Sequence, residues 1–205
     1  MLLGSNVRVA DGLFPVEFKD RLIETVSWMP MHFLNRWERF KSHELDMHWY
    51  YPIAFSEEPF TEDVEPKLLA LDDSLQAITE CWNRVKASLG YPVRLYECML
   101  SANTFGTEGR VHQDIAEEDA RADHVTVLVY CNREWNLAWA GETLFFDDQN
   151  EITGAVMPKA GRVVIADGDP PHVGRSVSRT CPTDRRVLVF KLWRLPAGAS
   201  GSAAA

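Results

Sequence analysis

The chain has 205 residues, 46% of them hydrophobic and 25% charged. That is enough for one domain with a substantial core and no need of disulfide staples. Lys and Arg number 21 against 30 Asp and Glu, a net charge of −9, which repels phosphate backbones and argues against a nucleic-acid partner. No apolar run approaches the roughly 18 residues of a membrane span, and the N-terminal apolar stretch is too short for a signal peptide. A cytoplasmic protein with no membrane partner is expected. The four cysteines, Cys81, Cys98, Cys131 and Cys181, are irregularly spaced with no CxxC pair. In a chain of this length that pattern predicts reduced thiols.

The first ninety residues read as helices and loops that pack on whatever follows. Leu22, Ile23, Val26, Phe33, Leu34 and Trp37 recur near helical spacing and predict a helix over 20–37, interrupted at Pro30. The aromatic and proline-rich stretch 40–60 reads as a loop over the core. A second helix opens at Thr61, with Pro66 in its first turn, where proline is tolerated. Its apolar stripe is Leu68, Leu71, Leu75, Ile78, Trp82, Val85 and Leu89, and Gly90 stops it.

Beyond Gly90 the hydrophobic period becomes two. Strands are predicted over 93–103, 124–131, 142–146, 155–158, 162–166 and 185–193, separated by turn clusters such as FGTEG, FDDQNE and DGDPP. Helices followed by many short strands predict a mainly β protein: an antiparallel barrel or jelly roll with helices packed on one sheet. The organisation expected is one domain: a helical and loop segment over 1–90, a β core over 91–195, and a flexible tail over 196–205.

The six histidines differ in promise. HELDMH (His43 to His48) places its histidines five apart, whereas a zinc-binding helix needs four, so a surface or packing role is expected there. His112-Gln113-Asp114 follows a glycine-containing turn. Residues two apart on an extended segment share a face, so imidazole and carboxylate can converge on one ion. His172 follows Pro170-Pro171 directly after a predicted strand, which fixes it near a barrel rim. Two histidines and a carboxylate on one triangular face suit non-haem ferrous iron. Three protein ligands with an open position would also suit catalytic zinc.

In order and spacing, the segment from about Tyr96 to Trp193 resembles the iron(II)- and 2-oxoglutarate-dependent oxygenases, in particular their prolyl-hydroxylase-like branch. The motifs are NTFGTEGRVHQD, TVLVYCN, GETLFF, PKAGRVVIADGDPPH and RRVLVFKLW. HxD, a second histidine 58 residues after Asp114, and a basic residue 13 or 14 positions beyond His172 complete the pattern.

The resemblance implies a double-stranded β-helix whose iron(II) is held by His112, Asp114 and His172. It also implies 2-oxoglutarate as cosubstrate, O₂ as oxidant and ascorbate as reductant. The far carboxylate of 2-oxoglutarate would meet an arginine fork. Arg185 is favoured, because it shares a face with Val187, Val189 and Lys191. Arg186 is the alternative, on the bulky face with Leu188, Phe190 and Leu192. Tyr130 would help Arg185, or serve as a core tyrosine.

Trp135 and Trp139 are expected to pack a loop, and Glu142 and Thr143 to start a strand or bond near the site. Glu117-Glu118-Asp119 would be a solvated loop or would attract a cationic substrate. Arg175 and Arg179 are candidates for a substrate carboxylate. The activity implied is hydroxylation of an unactivated C–H bond in a small-molecule, amino-acid or peptidyl substrate, with release of succinate and CO₂. The alternative is a non-catalytic cupin-like barrel that binds a small molecule or metal.

Overall fold

The computed structural model describes residues 2–3, 6–36, 46–116 and 118–196. The chain opens with strands β1 (Leu2–Leu3) and β2 (Val7–Ala10), then helix α1 (Val16–Ser27) and strands β3 (His32–Arg36) and β4 (Asp46–Phe55). Helices α2 (Glu65–Leu69) and α3 (Gln76–Leu89) follow. The rest is β: β5 (Val93–Asn103), β6 (His124–Tyr130), β7 (Thr143–Phe146), β8 (Ile152–Val156), β9 (Val163–Asp167), β10 (His172–Gly174) and β11 (Arg185–Arg194).

An eight-stranded antiparallel sheet runs β1-β2-β9-β6-β11-β5-β4-β3, and a smaller one runs β10-β7-β8. This is the double-stranded β-helix expected from the sequence. Among the described residues no helix is long and apolar enough to cross a membrane.

The alternation of β11 organises the interior. Leu188, Phe190 and Leu192 face the helices, in one core cluster with Phe18, Leu22 and Trp82. Val187 and Val189 face the opposite way, in a second cluster with Leu128, Tyr130, Phe145 and Val164. Arg185 therefore points into the barrel, and Arg186 points outward. Cys81, Cys98 and Cys131 are buried and unpaired. Burial pushes the Cys131 thiol up to about 12, which keeps it protonated and unreactive.

Three expectations for the N-terminal segment need correction. The helix predicted over 20–37 runs instead over Val16–Ser27, burying Phe18, Leu22, Ile23 and Val26. Pro30 ends it, since proline lacks the N–H that a helix interior needs. The chain then turns to strand, pairing Phe33 with Trp49. Phe33 and Leu34 fit either period, and sheet pairing decides.

The aromatic stretch read as a loop contains the ten-residue strand β4. Its proline sits at a register shift between Pro52 and Ala54, a bulge where a missing donor is tolerated. The segment 1–90 is thus not only helix and loop, because β1 to β4 extend the large sheet at both edges. The second predicted helix is broken in two. Asp72 accepts a hydrogen bond from the Ser74 N–H at 2.9 Å, a local turn that interrupts the helical ladder. The tail beyond residue 196, together with Trp37, His43 and Glu117, lies outside the described residues.

Candidate active site

The mouth of the barrel brings His112, Asp114 and His172 together, with one ligand atom from each within 4.8 Å of the others. The two histidines are joined through their backbones. The His112 N–H donates to the His172 carbonyl at 3.0 Å, and the His172 N–H donates back at 2.9 Å. Their rings lie with centroids 4.6 Å apart. The Nδ1 atoms stand 3.0 Å from the backbone carbonyls of Arg110 and Pro170. A carbonyl accepts only, so each Nδ1 carries the proton and each Nε2 keeps its lone pair.

Those Nε2 atoms face Asp114: His112 at 3.7 Å from Oδ1 and His172 at 4.0 Å from Oδ2. Two ligands each about 2.1 Å from one ion can be at most about 4.2 Å apart. The donor set therefore fits a single metal ion, and two imidazoles with one carboxylate is the facial set of non-haem iron. The sequence argument for convergence was alternation along a strand. In the structure the loop is irregular, and the backbone bridge to His172 brings the ligands together.

Asp114 is the best-supported of the three, with its side chain 2% exposed. Thr126 donates to Oδ2 at 2.6 Å, and the Lys191 ammonium lies 2.8 Å from Oδ1. Burial pushes the Asp114 carboxyl up, but Lys191 together with His172, His112 and His124 outweighs it and holds the group well below the usual carboxylate range. Burial pulls the Lys191 ammonium down, and Asp114 with Glu97 more than restores it. Burial and the neighbouring His112 lower His172, leaving it neutral at physiological pH, as a metal ligand must be. Lys191 also stands 3.6 Å from Glu97, its cross-strand partner on β5.

A second polar centre lies deeper. Arg185 is 3% exposed. Its Nε donates to the Gly141 carbonyl at 2.7 Å, Nη1 to Asn103 at 3.2 Å and Nη2 to Thr143 at 2.6 Å. A guanidinium has five N–H donors, so these bonds leave one on each terminal nitrogen. The Tyr130 ring lies 5.1 Å from the guanidinium carbon, and its hydroxyl is 2.7 Å from the Thr143 hydroxyl. Tyr130 thus reaches Arg185 through Thr143, and its hydroxyl also donates to the Val156 carbonyl at 3.2 Å. Gly141 has φ 78°, and a Cβ there would meet the Trp135 ring at 2.9 Å. Glycine is required for its carbonyl to face Arg185.

The remaining candidates lie elsewhere. Arg186 reaches the outer face, donating to Asp184 at 2.9 Å and to the Val26 carbonyl at the end of α1. Arg175 is exposed and pairs with Glu108 at 3.4 Å, while Arg179 is exposed on the following loop. Trp135 and Trp139 pack edge to face at 5.5 Å in the loop before β7. Glu118 is exposed. His48 lies on β4 beside Tyr50.

Sequence reasoning missed Glu97 and Asp169, took Thr126 only as a barrel-lining neighbour of Tyr130, and noted Lys191 only as a neighbour of Arg185. A lysine on an otherwise inward face was the available signal. Asp169 is 1% exposed. Its oxygens accept from the N–H groups of Asp114 and Ile115, both at 2.8 Å.

Residues 98–193 match the 2OG-Fe(II) oxygenase superfamily, a stretch from within β5 almost to the end of β11. Over that stretch the β core is similar to that of the 2OG-Fe(II) oxygenases. No curated protein sequence matches the chain.

Solved structures share the fold. A Trichoplax adhaerens prolyl hydroxylase in complex with a hypoxia inducible factor peptide fragment aligns with TM-score 0.68 at 15% identity, covering 93% of this chain and 84% of that one. A Pseudomonas putida prolyl-4-hydroxylase gives 0.59 at 16%, covering 94% and 95%. HygX from Streptomyces hygroscopicus, with nickel and 2-oxoglutarate bound, gives 0.52 at 15%, covering 93% and 83%.

Proposed function

We propose that this protein is an iron(II)- and 2-oxoglutarate-dependent hydroxylase acting on a small-molecule, amino-acid or peptidyl substrate. The observation that carries the reading is the convergence of two imidazole Nε2 atoms and the Asp114 carboxylate on one point. His112, Asp114 and His172 would hold the iron. Iron(II) with O₂ and 2-oxoglutarate supplies the oxidising power: one oxygen atom enters the substrate as hydroxyl, the other enters succinate, and CO₂ leaves. Ascorbate would serve as the reductant that keeps the iron ferrous.

The protein's share is binding, orientation and exclusion of water. Arg185 would take the far carboxylate of 2-oxoglutarate with its two remaining donors, oriented by Thr143, Asn103 and the Gly141 carbonyl. The register supports that placement. His172 pairs with Phe145, and Gly174 pairs with Thr143, which holds Arg185. Two residues along a strand span about 6.6 Å, a gap that a five-carbon diacid can bridge between iron and arginine. The apolar cluster of Leu128, Phe145, Val187 and Val189 would keep water from this inner pocket.

Arg175 and Arg179, both exposed, remain candidates for a substrate carboxylate, with Arg175 already paired with Glu108. The Trichoplax relative holds a peptide, which favours an amino-acid or peptidyl substrate here.

Two measurements test the reading. Anaerobic addition of iron(II) and then 2-oxoglutarate should produce a visible metal-to-ligand charge-transfer band. A screen of amino acids and peptides should find one that stimulates succinate release. A protein that gives neither band nor succinate is a non-catalytic barrel, and the proposal fails.

A further inference from the structure

We propose that Asp169 is a positioning residue of the metal site, a clasp that fixes the loop carrying two ligands against the segment carrying the third. The inference rests on the assignment of His112, Asp114 and His172 as ligands. Asp169 stands three residues before His172, and its side chain is fully buried. It holds three consecutive residues of the other segment. One carboxylate oxygen accepts from the Asp114 N–H and the other from the Ile115 N–H, each at 2.8 Å. Its backbone carbonyl accepts from Gln113 Nε2 at 2.9 Å.

The local sequence makes this possible. Gly168 and Asp169 both lie in the left-handed region, at φ 77° and 52°. Glycine adopts that region freely, and aspartate is among the few other residues that tolerate it. Pro170-Pro171 then extend the chain. The turn sends the Asp169 side chain inward while the Pro170 carbonyl is left to orient His172 through Nδ1. One turn therefore governs both the ring of His172 and the backbone of Asp114.

The surroundings fit a clasp. His124 is fully buried, with Nε2 2.8 Å from the Tyr96 hydroxyl and Nδ1 3.5 Å from Asp169 Oδ1. With Nε2 accepting from Tyr96, Nδ1 carries the proton and lies near the carboxylate without hydrogen-bonding it. The opposite tautomer would set a lone pair against it. Arg121 donates to the Ile115 carbonyl at 2.8 Å, with its Nε 4.0 Å from Asp169 Oδ2.

Asp114, His124 and Asp169 also lie close enough to hold an ion. Both Asp169 oxygens, however, are turned to backbone N–H donors, which marks an anion held by amides and not a cation site. A buried carboxylate is costly without such partners. Here it satisfies two buried backbone donors that would otherwise be orphaned.

The test is Mn(II) binding to the full chain, read from the electron paramagnetic resonance of free Mn(II), so no turnover is needed. Asp169→Asn replaces one acceptor by a donor facing an N–H. In the folded variant the Mn(II) dissociation constant should rise about 10- to 100-fold, as for other groups that orient metal ligands. At saturating Mn(II) its affinity for 2-oxoglutarate should match wild type, because Arg185 is untouched. A role in stability alone would lower Tm and leave the Mn(II) affinity of the folded protein unchanged, which overturns the proposal.

Should Asp169→Asn not fold, Gln113→Ala decides. It removes one neutral tie and should raise the Mn(II) dissociation constant roughly 3- to 10-fold. Wild-type affinity in that variant overturns the clasp. Wild-type Mn(II) affinity in His112→Ala or Asp114→Ala would overturn the ligand assignment instead.

Discussion

Removing Lys191 should separate the stability of the metal-free site from that of the metal-loaded one. In the structure the Lys191 ammonium is 2.8 Å from an Asp114 oxygen, with side chains 16% and 2% exposed. At that distance the attraction is about 6 kcal/mol for an effective dielectric of about 20. Desolvation of both groups offsets much of it. Removing one partner of a buried pair nevertheless strands the other charge, and costs about 3–5 kcal/mol. For a chain of this size that lowers Tm by roughly 6–20 °C.

Lys191→Met keeps the aliphatic stem and removes only the charge. Metal-free Lys191→Met should therefore melt well below wild type. A saturating divalent ion supplies the missing positive charge to Asp114 and is no longer repelled by Lys191. The gap should narrow when Mn(II) is present, so the variant gains more Tm from metal than wild type does.

The pH dependence has a definite sign. Asp114 is depressed in the fold, so its contribution is complete above its unfolded value of about 3.9. It is lost as pH falls through the folded value. Lys191 is raised, so its contribution is complete below about 10.4 and is lost as pH rises through the folded value. The difference between variant and wild type should shrink as pH falls, beginning where Asp114 takes up its proton in the variant, because burial without Lys191 raises that carboxyl. Differential scanning calorimetry with and without Mn(II) reads all of this. Equal Tm values for the metal-free proteins, or a gap that metal does not change, would refute the reasoning.

His112→Ala, Asp114→Ala and His172→Ala should each abolish turnover in a folded protein, because three ligands are the minimum facial set; full activity in one removes that residue from the site. Arg185→Ala should raise the KM for 2-oxoglutarate roughly 10- to 100-fold, from the loss of about 1.5–3 kcal/mol of charged hydrogen bonding. Arg186→Ala should leave KM alone and lower Tm by freeing the end of α1, so the reverse result for this pair would flip the register. Tyr130→Phe acts through the Thr143 hydroxyl and should change KM by roughly 3- to 10-fold. Steady-state succinate assays at varied 2-oxoglutarate distinguish these. Zinc should compete with iron for the same three ligands, and turnover supported by zinc alone would point to hydrolysis instead.

How much of this was legible in the sequence depended on the range of each signal. Strand β5 appears at its predicted bounds, and β6, β7 and β11 within a residue or so, because alternation is a local property that the sheet then buries. The facing of Arg185 and Arg186 was equally local: the bulk of Leu188, Phe190 and Leu192 marks the side that the helices cover. Strands β3 and β4 were hidden because their aromatic and proline content satisfies several templates. Only pairing, Phe33 to Trp49 and Tyr51 to Leu100, chooses between them.

The candidate metal ligands stand out because HxD and the distant histidine are chemically distinctive, and the structure brings the three together. Their supports do not stand out. Asp169 looks like an ordinary turn aspartate in DGDPP, and nothing local says that its carboxylate reaches amides 54 and 55 positions away. Lys191 shows how such a group can be found. An ionisable residue on the inward face of a buried strand needs a partner, and the missing negative charge of the metal site was already in view at Asp114. Pairing unexplained inward charges with the acidic groups they must meet assembles much of the support around Asp114 from the sequence alone.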